Sequence, residues 1–293
     1  MTGKNRAHFF KLSIHGLPIP FLAAALAFSC AKPESRASEG LREGYAKSDV
    51  RIHYLVEGSG PWLVMLHGYL GRAQGWIDSG WADALKDSYR LLMIDLRGFG
   101  LSDKPSGGAA YTMEKRVSDV LAVMDKEKVK QAHFLGFSMG GKLGFSLMGG
   151  SAKDRFLSYS ILSSNPYAWD LSEDAQLYRS TYPDTFPFPS PMPRDEKELA
   201  YLRSLDKEKL ADGLATGNFP DQRIEFLNCK RPIAIFYGSE EPKEDTSGIR
   251  NLLDPPKNYR TVEIPGIDHL GFMYKPADAI KAVRSFLETV KGQ

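Results

Sequence analysis

The sequence predicts an α/β protein whose mostly parallel sheet carries helices on both faces. Three observations point that way: apolar runs of strand length recur along the chain, amphipathic stretches of helical period separate them, and several runs end in glycine-rich segments. Gly44 to Glu57 reads as a hairpin of two strands. Trp62–Leu66, Leu91–Asp95, Ala132–Phe137, Leu157–Ser163, Pro232–Tyr237 and Tyr259–Ile264 are too apolar to alternate in and out, and read as buried strands. Helices are expected near 73–86, 112–127, 138–149, 246–253 and 276–290. The last has Ala277, Ile280, Val283, Phe286 and Leu287 at helical spacing.

One region breaks the alternation. Asn165 to Asn228 offers no convincing strand, yet it holds Trp169, Tyr178, Tyr182, Phe186, Phe188, Met192, Tyr201 and Phe219, with prolines at 183, 187, 189, 191 and 193. Such a stretch is too apolar for a solvated linker and too irregular for the sheet, so it reads as a small helical insertion.

The amino terminus reads as an address. Lys4, Arg6 and Lys11 precede an uncharged apolar stretch from Leu12 to Ser29, followed by Cys30 and a polar run to Gly40. This is the order of a secretory signal, and it is too short and proline-broken for a membrane span of about 20 residues. Leu26-Ala-Phe-Ser-Cys30 resembles a bacterial lipoprotein box. That resemblance implies lipid attachment at Cys30, residues 31–43 as a tether, and an exported protein anchored in the cell envelope; ordinary cleavage near Ser29 or Ala31 would instead release a soluble secreted or periplasmic protein.

Composition excludes several classes. The 38 Lys and Arg against 36 Asp and Glu give +2, and removing the three basic residues of positions 1–29 leaves 35 against 36, or −1, so no basic field for nucleic acid is expected. Cys30 and Cys229 cannot build a disulfide scaffold, and no Cys/His spacing suits a zinc site, so no metal is expected. Cys229 reads as a small buried thiol.

The chemistry centres on Gly136-Phe-Ser-Met-Gly140, which follows the apolar run AHFLGF and opens the helical GGKLGFSLM. A nucleophile on a tight strand-to-helix turn needs small residues two positions before and after it, and Gly136 and Gly140 supply them around Ser138. The overlapping Gly136-x-x-x-x-Gly141-Lys142 has the body of a phosphate-binding loop, but Leu143 stands where magnesium binding requires Ser or Thr, so Lys142 reads as a solvated helix residue. Of six histidines only His269 follows Ser138, in the loop Pro265-Gly-Ile-Asp-His-Leu270 after the last strand, where a base can reach over the strand ends. The acid that orients the base is expected beyond the strand IAIFYG, with Glu241 first, Glu240 second and Asp245 third. The amides of Met139 and of Tyr69, in Leu66-His-Gly-Tyr-Leu70, are the candidate oxyanion donors. His67 and Gly68 shape that loop, and Asp95 and Arg97 read as scaffolding of the Asp95–Asp103 loop.

HGYLG at 67–71, DLRGFGLSD at 95–103, GFSMG at 136–140, YGSEE at 237–241 and PGIDH at 265–269 together resemble the α/β-hydrolase family, in its order of nucleophile, acid and histidine, over residues 44–290. The resemblance implies an eight-stranded, mostly parallel sheet formed by 44–164 and 229–293, with a cap at 165–228 inserted after strand six. It also implies a Ser138, Glu241, His269 triad with Tyr69 and Met139 as oxyanion donors. Many members carry Asp rather than Glu after strand seven, and the halide- and epoxide-processing branches use Asp as nucleophile, which Ser138 argues against. The expected activity is cofactor-free cleavage of a small-molecule carboxylic ester with a hydrophobic acyl or alkyl group. Carbon–carbon bond cleavage in diketones uses the same triad and is the alternative; a non-catalytic ligand receptor on the same fold is the second.

Overall fold

The computed structural model describes residues 40–183, 196–215, 217–242 and 256–291. The expected signal, the greater part of the tether with Cys30, the helix near 246–253 and Asp245 lie outside them.

Eight strands form one sheet: β1 (Arg42–Lys47), β2 (Arg51–Glu57), β3 (Trp62–Leu66), β4 (Arg90–Ile94), β5 (Ala132–Phe137), β6 (Phe156–Leu162), β7 (Ile233–Gly238) and β8 (Tyr259–Ile264). Their spatial order is β1-β2-β4-β3-β5-β6-β7-β8. β2 runs antiparallel to both neighbours, and every pair from β4 to β8 is parallel. The first strand begins at Arg42, two residues inside the expected tether.

Helices cover both faces, as a parallel sheet with crossover connections requires. On one face lie α3 (Met113–Lys126) and α4 (Met139–Ser146), whose Val120, Val123, Met124, Leu143 and Phe145 pack with Val64, Leu66, Leu92 and Ile94. On the other lie α1 (Ala73–Asp78), α2 (Trp81–Leu85) and a carboxyl-terminal helix, Ala277–Val290. Their Trp76, Trp81, Val283, Phe286 and Leu287 meet Leu63, Met65, Leu91 and Met93. The period-2 alternation of strand side chains sends consecutive residues of β3 and β4 to opposite cores.

The single helix expected over 73–86 is broken in two. Gly80 adopts φ +83°, a left-handed conformation that ends α1 and admits the turn into α2.

Between β6 and β7 the described chain forms α5 (Ser172–Thr181), α6 (Glu196–Arg203), α7 (Lys207–Gly213) and α8 (Arg223–Asn228) and no strand. Of the aromatic residues that distinguished this stretch, those in the described part pack inward: Tyr178 and Tyr182 are buried, and the ring centroids of Trp169 and Phe219 stack at 5.6 Å. Phe186 and Phe188 lie outside the described residues. Arg116 of α3, fully enclosed, ties this layer to the core. It donates to the Gly213 carbonyl at 2.9 Å and lies 4.8 Å over the Phe219 ring. Cys229 is buried, and burial pushes its thiol pKa up. After β8 the described chain forms the short α9 (Gly271–Tyr274) and then α10, the Ala277–Val290 helix named above.

Candidate active site

The site lies at the carboxyl ends of four neighbouring strands, β5 to β8. Each contributes one side chain from the loop that leaves it: Ser138 after β5, Ser163 after β6, Glu241 after β7 and His269 beyond β8.

Ser138 sits at the junction of β5 and α4 with φ +51° and ψ −113°. A side chain rarely holds this conformation, and the surroundings impose it. A Cβ on Gly140 would stand 2.2 Å from the Leu66 carbonyl oxygen, and one on Gly136 would stand 2.6 Å from that of Gly140. Glycine at both positions lets the first turn of α4 press against the end of β3, and the Ser138 amide donates to the Leu162 carbonyl of β6 at 2.8 Å. The turn therefore holds the hydroxyl above the strand ends.

His269 Nε2 lies 3.0 Å from Ser138 Oγ, hydrogen-bonding distance for removing the hydroxyl proton. The imidazole rests beside the Phe137 ring, with centroids 5.1 Å apart. On the other side of the ring, Nδ1 lies 2.6 Å from Ser163 Oγ and 3.5 Å from Glu241 Oε2. Ser163 Oγ in turn donates to Glu241 Oε2, and Glu241 Oε1 accepts the Gly238 amide at 2.7 Å. Burial pushes the Glu241 pKa up, but the His269 ring, the Gly238 amide and the Ser163 hydroxyl outweigh it, and the net displacement is downward. Glu241 is thus a buried carboxylate that stays ionised. Glu240 is exposed. Its carboxylate accepts from the Ser239 hydroxyl at 3.3 Å, and its amide donates to the Ile267 carbonyl at 3.0 Å.

The structure brings Ser138, His269 and Glu241 together and leaves Glu240 outside. Ser163 is the residue that the sequence reading missed. Its one local signal was a hydroxyl immediately after a buried strand.

The Tyr69 loop closes over the same point. A Cβ on Gly68 would stand 3.3 Å from that of Ser138, so the loop passes close against the serine. Met139 is the first residue of α4, where an amide has no partner within the helix. The Tyr69 hydroxyl donates to the Leu210 carbonyl of α7, and its ring packs edge-on to Phe99 and Tyr178 at 5.1 and 5.5 Å. His67 Nδ1 donates to the Gly68 carbonyl at 2.7 Å, while Nε2 accepts the Leu96 amide at 3.0 Å. Asp95 accepts from His53 Nδ1 and from the amides of Ala73 and Leu101, and Arg97 pairs with Asp119 at 2.6 Å and Asp49 at 2.5 Å. Both hold loops in place.

Lys142 corrects the sequence reading. It is fully buried, not solvated, because the β6–β7 stretch folds over α4. Its ammonium donates to the Tyr167 carbonyl and lies 5.4 Å over the Trp169 ring. Burial pushes its pKa down to about 7, against a smaller upward pull from Asp221 and Glu225. Below about pH 7 both the folded and unfolded states carry the charge, and the folded state bears the full desolvation penalty. Between 7 and the ordinary 10.5 the unfolded chain binds more protons, so stability rises with pH. Lys142→Met is therefore expected to stabilise the protein by about 1–4 kcal/mol at pH 6, with the gain shrinking by pH 9.5. Urea unfolding of both proteins at the two pH values measures it. A gain that is equal at both would contradict the assignment.

This strand order and these loop positions are those of the α/β-hydrolase fold. Residues 61–189 match the family model described as alpha/beta hydrolase fold. The chain is 29% identical over 202 residues to a fluoroacetate dehalogenase of Burkholderia sp, covering 65% of this chain and 64% of that protein. It is 26% identical over 231 residues to epoxide hydrolase 3 of Xenopus tropicalis, covering 74% and 58%. Among these and a Bacillus subtilis relative, the chain spans 35% to 64% of each relative's own length. In three dimensions it is similar to the enol-lactonase from Burkholderia xenovorans, with 25% identity, a TM-score of 0.67, and 84% of this chain and 100% of that one covered.

Proposed function

We propose that the protein is a serine hydrolase that cleaves a carboxylic ester through an acyl-enzyme intermediate. The observation that carries this reading is the 3.0 Å separation of Ser138 Oγ and His269 Nε2 at a turn that holds the hydroxyl clear of the strand ends. Ser138 Oγ attacks the ester carbonyl carbon while Nε2 takes its proton. The carbonyl oxygen becomes an oxyanion, stabilised by the amides of Tyr69 and Met139. Collapse expels the alcohol, which leaves with the proton from Nε2. A water then gives its proton to Nε2, attacks the acyl carbon and releases the acid, and Ser138 recovers its proton.

A serine at position 138 favours this chemistry over that of the dehalogenase and epoxide hydrolase relatives, whose branches use aspartate as nucleophile. The aromatic layer formed by Tyr69, Tyr178, Tyr182 and Trp169 supports a hydrophobic acyl or alkyl group. The reading predicts that a fluorophosphonate probe labels the protein at Ser138, located by peptide mass spectrometry, and that labelling abolishes hydrolysis of a p-nitrophenyl ester. A folded protein that stays unlabelled would refute it.

A further inference from the structure

We propose that Ser163 is a positioning residue through which Glu241 fixes the tautomer of His269, making the hydrogen-bonded chain Ser138, His269, Ser163, Glu241. The proposal rests on the serine-hydrolase reading above and adds to it a member that the triad does not contain.

The polarity of the chain follows from counting protons. Glu241 is an ionised carboxylate and can only accept. The single hydrogen of Ser163 Oγ is directed to Glu241 Oε2, so the atom that Ser163 presents to the imidazole is a lone pair, 2.6 Å from Nδ1. Nδ1 must then carry the ring proton of the neutral histidine, which leaves Nε2 bare and able to accept from Ser138. The direct alternative, Nδ1 to Glu241 Oε2, spans 3.5 Å and is outside ordinary hydrogen-bond length. During turnover the proton of Ser138 moves to Nε2 and on to the departing alkoxide, and in deacylation a proton from water passes through Nε2 back to Ser138. The protons on Nδ1 and on Ser163 stay where they are.

The backbone holds this hydroxyl in place. Ser163 adopts φ +49°, its amide donates to the Phe236 carbonyl of β7 at 2.7 Å, and the residue is buried. Glu241 is pinned from its other oxygen by the Gly238 amide, so neither partner can swing to close the 3.5 Å gap without losing a bond. A positive φ suits glycine better than serine, so Ser163→Gly removes the hydroxyl without straining the backbone.

The test compares wild type, Ser163→Gly and Ser163→Ala on a p-nitrophenyl ester, with proton NMR of the free, 15N-labelled proteins. The expected result is a fall in kcat of about tenfold or more with KM unchanged, since the hydroxyl orients the base and does not touch substrate. The glycine variant keeps the wild-type melting temperature or exceeds it. A downfield Nδ1 proton of His269 is expected in wild type and is lost or displaced upfield in both variants. Wild-type kcat together with an unchanged Nδ1 resonance in a folded Ser163→Gly protein would overturn the proposal while leaving fluorophosphonate labelling of Ser138, and with it the hydrolase reading, intact. An unlabelled wild type would defeat that reading instead, and the Nδ1 resonance would still decide whether the hydrogen-bond chain exists.

Discussion

Ser138→Ala and His269→Ala are each expected to lower kcat on a p-nitrophenyl ester by roughly 10⁴- to 10⁶-fold, and the double variant is expected to be no slower than either alone. The two groups act as a unit. Without the imidazole the hydroxyl is a weak nucleophile at neutral pH, and without the hydroxyl the imidazole has nothing to activate. What remains in each case is the contribution of the proposed oxyanion donors, the Tyr69 and Met139 amides, and of substrate binding. Neither replacement should unfold the protein, because Ser138 contributes few buried atoms and His269 is partly exposed. Melting temperatures measured beside the kinetics control for this. Losses that multiply in the double variant would show that the two side chains work independently, against the 3.0 Å contact between them.

The second large effect is expected at a residue with no side chain. Gly140→Ala puts a methyl group 2.2 Å from the Leu66 carbonyl oxygen and 2.7 Å from that of His67, both of them backbone atoms at the end of β3 that cannot rotate away. The first turn of α4 has to retreat and carries Ser138 and the Met139 amide with it. A displacement on this scale is expected to reduce kcat about 100-fold or more, with a loss of about 1–3 kcal/mol in stability from overpacking. Gly75→Ala in α1 is the matched control. The nearest atom to its new Cβ is a Met273 methyl at 4.0 Å, so that variant should be fully active and, as alanine replaces glycine within a helix, slightly more stable. Equal activity in the two variants would mean that the tight contact with β3 does not set the position of the hydroxyl.

Much of the sheet was legible because buried parallel strands are written as uninterrupted apolar runs. Trp62–Leu66, Ala132–Phe137 and Tyr259–Ile264 have in the structure the same limits that the sequence reading gives them. Ser138 and His269 were legible for a related reason: a glycine on either side of a serine marks a sharp turn, and only one histidine follows it. Glu241 ranked ahead of Glu240, with Asp245 third, but only by a narrow preference, because adjacent residues after a strand differ chiefly in which way the loop turns. Ser163 was illegible. Its role arises from β6 lying between β5 and β7, and sheet order is a property of the tertiary fold that no local pattern in Ile161-Leu-Ser-Ser-Asn165 encodes. Lys142 failed for the opposite reason. Lysine on a helix is ordinarily exposed, and here its burial depends on chain from the β6–β7 region folding back over α4.

The hydroxyl of Tyr201 fastens two loops with a single oxygen. It accepts the Gly100 amide at 3.2 Å and donates to the Gly71 carbonyl at 2.9 Å, while the Arg72 guanidinium lies 4.2 Å over its ring. Lifting α6 from the strand ends thus severs both links in one motion and leaves two peptide groups in need of water. Two further phenols hold the same helix, Tyr274 donating to Glu198 at 2.7 Å and Tyr182 to the Leu202 carbonyl, so α6 is moored by hydroxyls at Glu198, Tyr201 and Leu202.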